Sequence, residues 1–418
     1  MSRLEPSNEA SAMQKEISAI AEQGGGTTKV EQLIQQYCPD GVEYKRLEDC
    51  LNYEQPTKYI VKDTKYDDTY PTPVLTAGQT FILGYTNEKT GIYQASKEKP
   101  VIIFDDFTTG FNWVDFDFKV KSSAMKMLRP ACDDISFRYV YYAMSSIHFE
   151  PGTHTRHWIS IYSQFEIPVP PLPVQEEIVR ILDTLTELQA ELQAELQKRL
   201  QQYNYYRDKL LLNFTPEQNA KECYLEEITT DIYSGATPST EKREFWENGT
   251  IPWMSSGEVN LGKVYDVEGR ITQLGYDKCS TKMVPQGSVV IALAGQGKTR
   301  GTVALLKTTV CTNQSLAALV PNTKMVSGEY LYHYLRTQYL KLREVSAGDG
   351  TRGGLNLKML RSYKVIIPPM EEQQRIVDIL DRFDTLTTDI TAGLPAEIEA
   401  RRKQYEYYRD KLLTFKKK

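Results

Sequence analysis

Glu187-Leu188-Gln189-Ala190-Glu191-Leu192-Gln193-Ala194-Glu195-Leu196, at the middle of the chain, decides how the rest is organised. Counting from Ile178, apolar residues fall at Ile181, Leu185, Leu188, Leu192, Leu196, Leu200, Tyr203, Tyr206 and Leu210. Steps of three and four place them in one stripe along a long helix. The consecutive fours coincide with a tetrapeptide, Leu-Gln-Ala-Glu, written twice, which is a four-residue stutter in a heptad pattern. No Pro or Gly interrupts residues 174–214. About 40 residues at roughly 1.5 Å each make a rod of about 60 Å, long enough to space two domains rather than belong to either.

The rod recurs at the C-terminus. Pro170-Pro171-Leu172-Pro173-Val174-Gln175-Glu176-Glu177-Ile178-Val179-Arg180-Ile181-Leu182-Asp183 aligns without a gap on Pro368-Pro369-Met370-Glu371-Glu372-Gln373-Gln374-Arg375-Ile376-Val377-Asp378-Ile379-Leu380-Asp381. Its ending, Tyr205-Tyr206-Arg207-Asp208-Lys209-Leu210-Leu211, returns as Tyr407-Tyr408-Arg409-Asp410-Lys411-Leu412-Leu413. Two copies so far apart mean a duplicated protein and not a solenoid, whose periods are far shorter. Each copy reads as a globular segment followed by a long helix. In the second copy Gly393-Leu394-Pro395 interrupts the pattern, so that rod is expected as two helices with a kink or break.

The chain has 418 residues, room for two or three domains that each bury a core. A net charge of −5 argues against a protein coated in basic residues, but nucleic-acid recognition needs only a local patch. From Arg401 to Lys418 there are eight Lys and Arg against two acidic residues, which also suits a solvated helix end and tail. The six cysteines are scattered with no Cys-x-x-Cys, so neither a zinc ribbon nor a disulfide framework is suggested. A cytoplasmic location is expected, with no membrane segment, because no apolar run approaches the length of a span and no signal-like core opens the chain.

Residues 1–29 read as a flexible leader broken at Gly24-Gly25-Gly26, followed by a short amphipathic helix through Val30, Leu33, Ile34 and Tyr37. From Tyr44 to Pro170, short runs of Tyr, Phe, Thr, Val and Ile between turn residues predict strands, with one helix over Phe137–Ser145. An alternating strand around Phe165-Glu166-Ile167 closes this segment before the prolines. The second segment, about Cys223 to Pro369, repeats the frame: Leu225-Glu226-Glu227 echoes Leu47-Glu48-Asp49, and Tyr363-Lys364-Val365-Ile366-Ile367 echoes the strand before the first rod. Between those borders the two sequences share little, as expected of one scaffold carrying two different readers.

Ala292-Leu293-Ala294-Gly295-Gln296-Gly297-Lys298-Thr299 looks like a phosphate-binding loop, but its first glycine is missing. Such a loop must open a helix, whereas Arg300-Gly301-Thr302-Val303-Ala304-Leu305 alternates like a returning strand; the better reading is a basic hairpin tip. Val101-Ile102-Ile103-Phe104-Asp105-Asp106 is read as a core strand ending in a turn, not as the acidic strand of an ATPase. Methyltransferase signatures are absent, and His154 and His157 have no acidic or cysteine partner at ligand spacing. No cofactor, metal or catalytic residue is expected, which leaves binding. Three clusters mix cations and carboxamides with Gly or aromatics, the residue types that hold phosphates and read base edges. They are His154-Thr155-Arg156-His157-Trp158, Gly295 to Gly301, and Gly350-Thr351-Arg352-Gly353-Gly354-Leu355-Asn356. Each also has the composition of an ordinary polar turn. The candidate DNA-binding residues are Arg156, His154, His157, Gln296, Lys298, Arg300, Arg352 and Asn356. The aromatic and charged rod endings supply candidate partner-binding residues, Tyr206, Arg207, Leu210, Tyr408, Arg409 and Leu412.

The twice-written rod opening and ending, with the tetrapeptide repeat between them, resemble the specificity (S) subunits of type I restriction–modification systems. Ser234-Gly235-Ala236-Thr237-Pro238-Ser239, Ile251-Pro252-Trp253-Met254-Ser255-Ser256-Gly257 and Thr312-Asn313-Gln314 are also typical of such proteins. The resemblance runs from about residue 30 to the end. It implies an α+β fold with two target recognition domains of short strands and helices, separated by two long helices forming an antiparallel coiled coil. The expected domains are an N-terminal helix and first recognition domain over 30–171, a spacer helix over 172–214, a second recognition domain over 215–369, and C-terminal helices with a basic tail over 370–418. The implied partners are double-stranded DNA with an asymmetric bipartite site, two methyltransferase (M) subunits and two restriction (R) subunits, with this chain non-catalytic. A coiled-coil scaffold without DNA specificity and an ATP-driven enzyme are the rival classes.

Overall fold

A computed structural model of the chain describes residues 28–76, 80–152, 155–214, 219–295, 299–346, 354–388 and 393–418. The chain divides into two compact units, residues 1–192 with 398–418, and residues 193–397. The border at Leu192 and Gln193 falls inside the Leu-Gln-Ala-Glu repeat, within one continuous helix, α3 (Leu172–Leu212). No residue from 186 to 202 is buried, and within that stretch only Leu188 packs against a core, as a half-buried side chain on that of the first unit. None of the described helices is long and apolar enough to cross a membrane.

In the first unit, α1 (Lys29–Tyr37) is opened by a capping box between Thr28 and Glu31. The central sheet contains β1 (Leu51–Glu54), β2 (Val101–Asp105), β3 (Phe111–Val114) and β4 (Met125–Pro130), in the order β1-β4-β2-β3. All five residues of β2 are buried, which explains its unbroken apolar run. Alternation sends Ile102 and Phe104 into a core shared with the helices, and Val101 and Ile103 into a second core against a smaller sheet. That smaller sheet pairs Thr72–Leu75 antiparallel to Ile82–Thr86 and parallel to Lys119–Val120. The helix-side core is filled by α2 (Phe137–Ser145) and by Val174, Ile178, Leu182 and Leu185 of α3.

The second unit repeats this plan in unlike residues. Its sheet contains β5 (Thr229–Ser234), β6 (Val289–Ala292), β7 (Val303–Leu306) and β8 (Leu316–Pro321), in the order β5-β8-β6-β7, with Lys263–Val264 added beside β7. Val289 and Ile291 face the helix-side core, while Val290 and Ala292 face the other. The smaller sheet again has one strand, Ile251–Met254, paired antiparallel on one side and parallel on the other. Helix α4 (Gly328–Thr337) takes the place of α2. The second rod is two helices, α5 (Met370–Thr388) and α6 (Gly393–Leu412). Gly393 has φ +77°, and a Cβ there would lie 2.5 Å from the carbonyl oxygen of Thr385, so only glycine lets α6 start against the last turn of α5.

Each reader is fastened to the start of its own rod by duplicated contacts. Gln175 Oε1 accepts from Ser136 N (2.9 Å) and its Nε2 donates to Pro170 O (2.7 Å); Gln373 does the same with Ser327 N (2.9 Å) and Pro368 O (2.9 Å). The chain end returns to the first unit. Leu412 and Leu413 are buried in its core, and Lys418 N and Val42 N bond Val42 O and Lys416 O at 3.1 and 2.9 Å. The basic tail is thus a bridging segment packed on residues 41–44, where Gly41 (φ +102°) leaves no room for a side chain against Lys416 O.

Candidate nucleic-acid interface

At the end of β2, Asp105 caps the following turn: its Oδ1 accepts from Phe107 N (2.9 Å) and its Oδ2 from Thr108 Oγ1 (2.6 Å). Asp106 points inward. It pairs with Lys126 Nζ at 2.8 Å, both side chains being 1% exposed, and Lys126 also donates to Gln55 Oε1 (3.2 Å). The same aspartate hangs the next candidate segment in place, for its carbonyl accepts from His157 N (2.8 Å) and its Oδ1 from Trp158 N (2.8 Å). The Trp158 ring then packs edge-on against Phe104 at 5.0 Å.

His157 is therefore a core residue: it is 1% exposed, with its ring beside Phe149 at 5.5 Å. The aromatic core that anchors Trp158 draws the adjacent histidine inside, so its side chain does not lie on a DNA-facing surface. Arg156, one residue earlier, is exposed, and its Nη2 donates to Ser123 Oγ (3.1 Å). His154 lies outside the described residues, as do Gln296, Lys298 and Arg352.

In the second unit the segment after β6 turns back as β7, antiparallel, with Val289 opposite Leu305. The two strands form a hairpin, and among the described residues that follow, 299–302 form no helix before β7 begins. Arg300 is half-buried, and its carbonyl accepts from Arg343 Nη1 (3.2 Å). Leu293 stands where Asp106 stands in the first unit. Leu293 N donates to Ser315 O (2.8 Å) as Asp106 N donates to Ala124 O (2.8 Å), and Leu293 O accepts from Leu355 N (3.1 Å) as Asp106 O accepts from His157 N. The offset between His157 and Leu355 is the one that separates Pro170 from Pro368, and it also sets Gly152-Thr153 on Gly350-Thr351. His157 and Leu355, from two clusters of unlike composition, thus occupy one place in the two readers. Asn356 is exposed, and its Oδ1 caps the helix Leu357–Arg361 by accepting from Met359 N (2.9 Å).

Strand register brings further residues to the same edge. Ala292 pairs with Leu316, and Ser234 with Ala317, so the segment after β5 and the turn before β8 flank the hairpin. A Cβ on Gly235 would lie 1.8 Å from Thr312 O, which makes glycine obligatory where the two segments cross. Trp253 Nε1 donates to Ala236 O (3.1 Å), and Thr237 Oγ1 donates to Gln314 Oε1 (2.5 Å). Alongside lies a cleft of about 530 Å³ flanked by Lys242 and Lys278.

One titratable cluster sits away from this edge. His333, fully buried on α4, meets Asp381 at 2.8 Å; Lys263 Nζ lies 2.9 Å from Asp381 and 3.5 Å from Asp384, and Arg336 meets Asp384 at 3.2 Å. Burial by itself would raise the Asp381 pKa, but hydrogen bonds from His333 and Lys263 outweigh it and hold the carboxyl at about 2. Lys263 and Arg336 supply the positive charge a metal would bring, so the cluster is an ion-paired clasp between the reader and α5. Asp183 has the corresponding role in the first unit, accepting from Arg138 Nε (2.8 Å) and Tyr142 Oη (2.5 Å).

Two copies of one fold, with hydrogen-bonding and cationic side chains at the same sheet edge in each, agree with the comparison to known proteins. Residues 39–202 and 220–400 each match the type I restriction modification DNA specificity domain. The chain belongs to that family. It is 49% identical over 389 residues to the EcoR124I/EcoR124II specificity subunit of Escherichia coli, covering 90% of this chain and 95% of that protein. A putative type I restriction enzyme specificity subunit of Haemophilus influenzae is 30% identical over 402 residues, covering 90% and 96%. The crystal structure of a type I restriction–modification S subunit from M. genitalium has the same fold, with a TM-score of 0.57 at 16% identity over 90% of this chain and 97% of that one.

In this specificity-family chain the duplicated rod endings are partly spent on its own cores. Leu412 is 7% exposed in the core of the first unit, so it is not available to a partner. Leu210 and Tyr408 are half-buried against the cores of the second and first units, and Tyr206 stacks on Phe383 at 5.9 Å. Arg207 and Arg409 each pair with the aspartate that follows, at 2.8 and 2.7 Å. Tyr206 stays 38% accessible beside Phe383, and the most exposed aromatics of the two endings are Tyr205 and Tyr407, equivalent residues that are both 61% accessible.

Proposed function

We propose that this chain is the DNA-recognition subunit of a type I restriction–modification complex, each unit reading one half of a bipartite double-stranded site. The observation that carries this reading is the shared strand order of the two readers, which delivers unlike polar loops to one equivalent edge: Ser123 with Arg156 in the first, Thr237 with Gln314 in the second. Unlike loops on like scaffolds make the site asymmetric. Cationic side chains at the edges hold phosphates, and carboxamides and guanidinium groups read bases. Two methyltransferase subunits and two restriction subunits supply the chemistry, and this chain supplies none. The exposed tyrosines of the rod endings are proposed as docking points for the methyltransferase subunits. The test is selection of randomised duplexes by the full chain assembled with its methyltransferase partner. Two specified blocks separated by a fixed unspecified gap are expected, with affinity falling steeply in salt. Binding without sequence preference would favour the scaffold reading instead.

A further inference from the structure

The turn before β8 is held from every side while its central side chain is exposed. Thr281 Oγ1 donates to Thr312 O (3.1 Å), Asn313 N donates to Met254 O (3.1 Å), Asn313 Oδ1 accepts from Ser315 N (3.1 Å), and Ser315 O accepts from Leu293 N (2.8 Å). Gln314 projects from this fixed backbone, and the Thr237 hydroxyl holds its carboxamide at 2.5 Å. We infer that Gln314, oriented by Thr237, reads an adenine in the half-site of the second unit; the inference rests on the recognition function proposed above. With Thr237 on one lone pair, the carboxamide still offers its amide hydrogens and a second lone pair. That set complements the N7 acceptor and N6 donor of adenine in the major groove, and Gln is one of the two side chains that make this bidentate contact. Thr237, which holds this neutral side chain, also lines the cleft that carries Lys242 and Lys278; a neutral carboxamide suits a base edge, while cations suit phosphates. Ordering cost is small because the backbone and one carboxamide atom are already fixed.

The first reader has Ser123 at the corresponding turn, with the Arg156 guanidinium 3.1 Å from its hydroxyl. The same position therefore carries different base-reading chemistry in the two units.

The experiment compares randomised-duplex selection by the wild-type chain, Gln314→Ala and Thr237→Val, each as full chain assembled with the methyltransferase subunits. Gln314→Ala is expected to lower preference for one A·T pair in one block by about 5- to 150-fold, leaving the other block and the salt slope unchanged. Thr237→Val is expected to weaken preference at that same pair by less. A wild-type preference that survives intact in Gln314→Ala, or that is lost at a G·C pair or evenly across the block, overturns the assignment alone. A wild-type chain with no sequence preference overturns the recognition function and the assignment together. Retained preference at the other positions of the same block reports that the second unit is folded, and the unchanged other block reports that the complex is assembled.

Discussion

Lys126 and Asp106 show how a single buried pair sets the first recognition edge. With both side chains 1% exposed, removing the ammonium leaves a carboxylate in the core that also holds Trp158 N. Lys126→Met is expected to destabilise the first unit by about 3–5 kcal/mol, read by chemical denaturation of the full chain. Lys45→Met removes the exposed pair with Asp134, whose side chain is 64% accessible, and should cost under about 1 kcal/mol. Equal effects from the two substitutions would contradict the role given to the buried pair. At this scale the sequence was only partly informative. Asp105-Asp106 reads correctly as the end of a core strand, but the inward turn of Asp106 depends on a lysine from another strand, which no local pattern reveals. The burial of His157 is hidden from the sequence for the same reason: it follows from Trp158 docking on Phe104. Gln314 belongs to the Thr312-Asn313-Gln314 motif, and only strand register shows that it shares an edge with the strands of the hairpin.

Helices were the most legible elements, because their apolar period is long enough to stand out. The stripe in the central rod, the Phe137–Ser145 helix and the break at Gly393 all appear where periodicity and glycine place them. The strands inside the readers were legible as strands but not as a duplication. A sheet buried on both faces requires only apolar residues in the right number, so β2 and β6 carry different sequences in one topology. The rod endings were legible as aromatic stripes, yet their division between self-packing and exposure was not, since the stripe is partly consumed by Phe383 and by the first-unit core. Tyr205→Asp with Tyr407→Asp is accordingly expected to weaken assembly with methyltransferase subunits at least tenfold in a titration of complex formation. Circular dichroism and melting temperature should stay unchanged, because both rings are 61% exposed. Full-strength assembly of that double variant would place the partner surface elsewhere.

At the scale of the molecule, one chain carries two readers of the same fold, joined by a helix whose middle is buried in neither unit. We propose that the readers choose the bases while this helix sets the gap between the half-sites. Deleting Leu188 to Glu191 removes one tetrapeptide, shortening the helix by about 6 Å and turning it by about 40° beyond a full turn. One base pair contributes about 3.4 Å and about 34°, so the rotation fits the loss of one pair and the rise allows two at most. The apolar stripe stays in phase because a whole stutter is removed. Mapping methylated sites in cells that carry the deleted chain with its methyltransferase should show both half-sites intact and the spacer shorter by one base pair, or two at most. An unchanged spacer, or altered bases inside either half-site, would contradict the account.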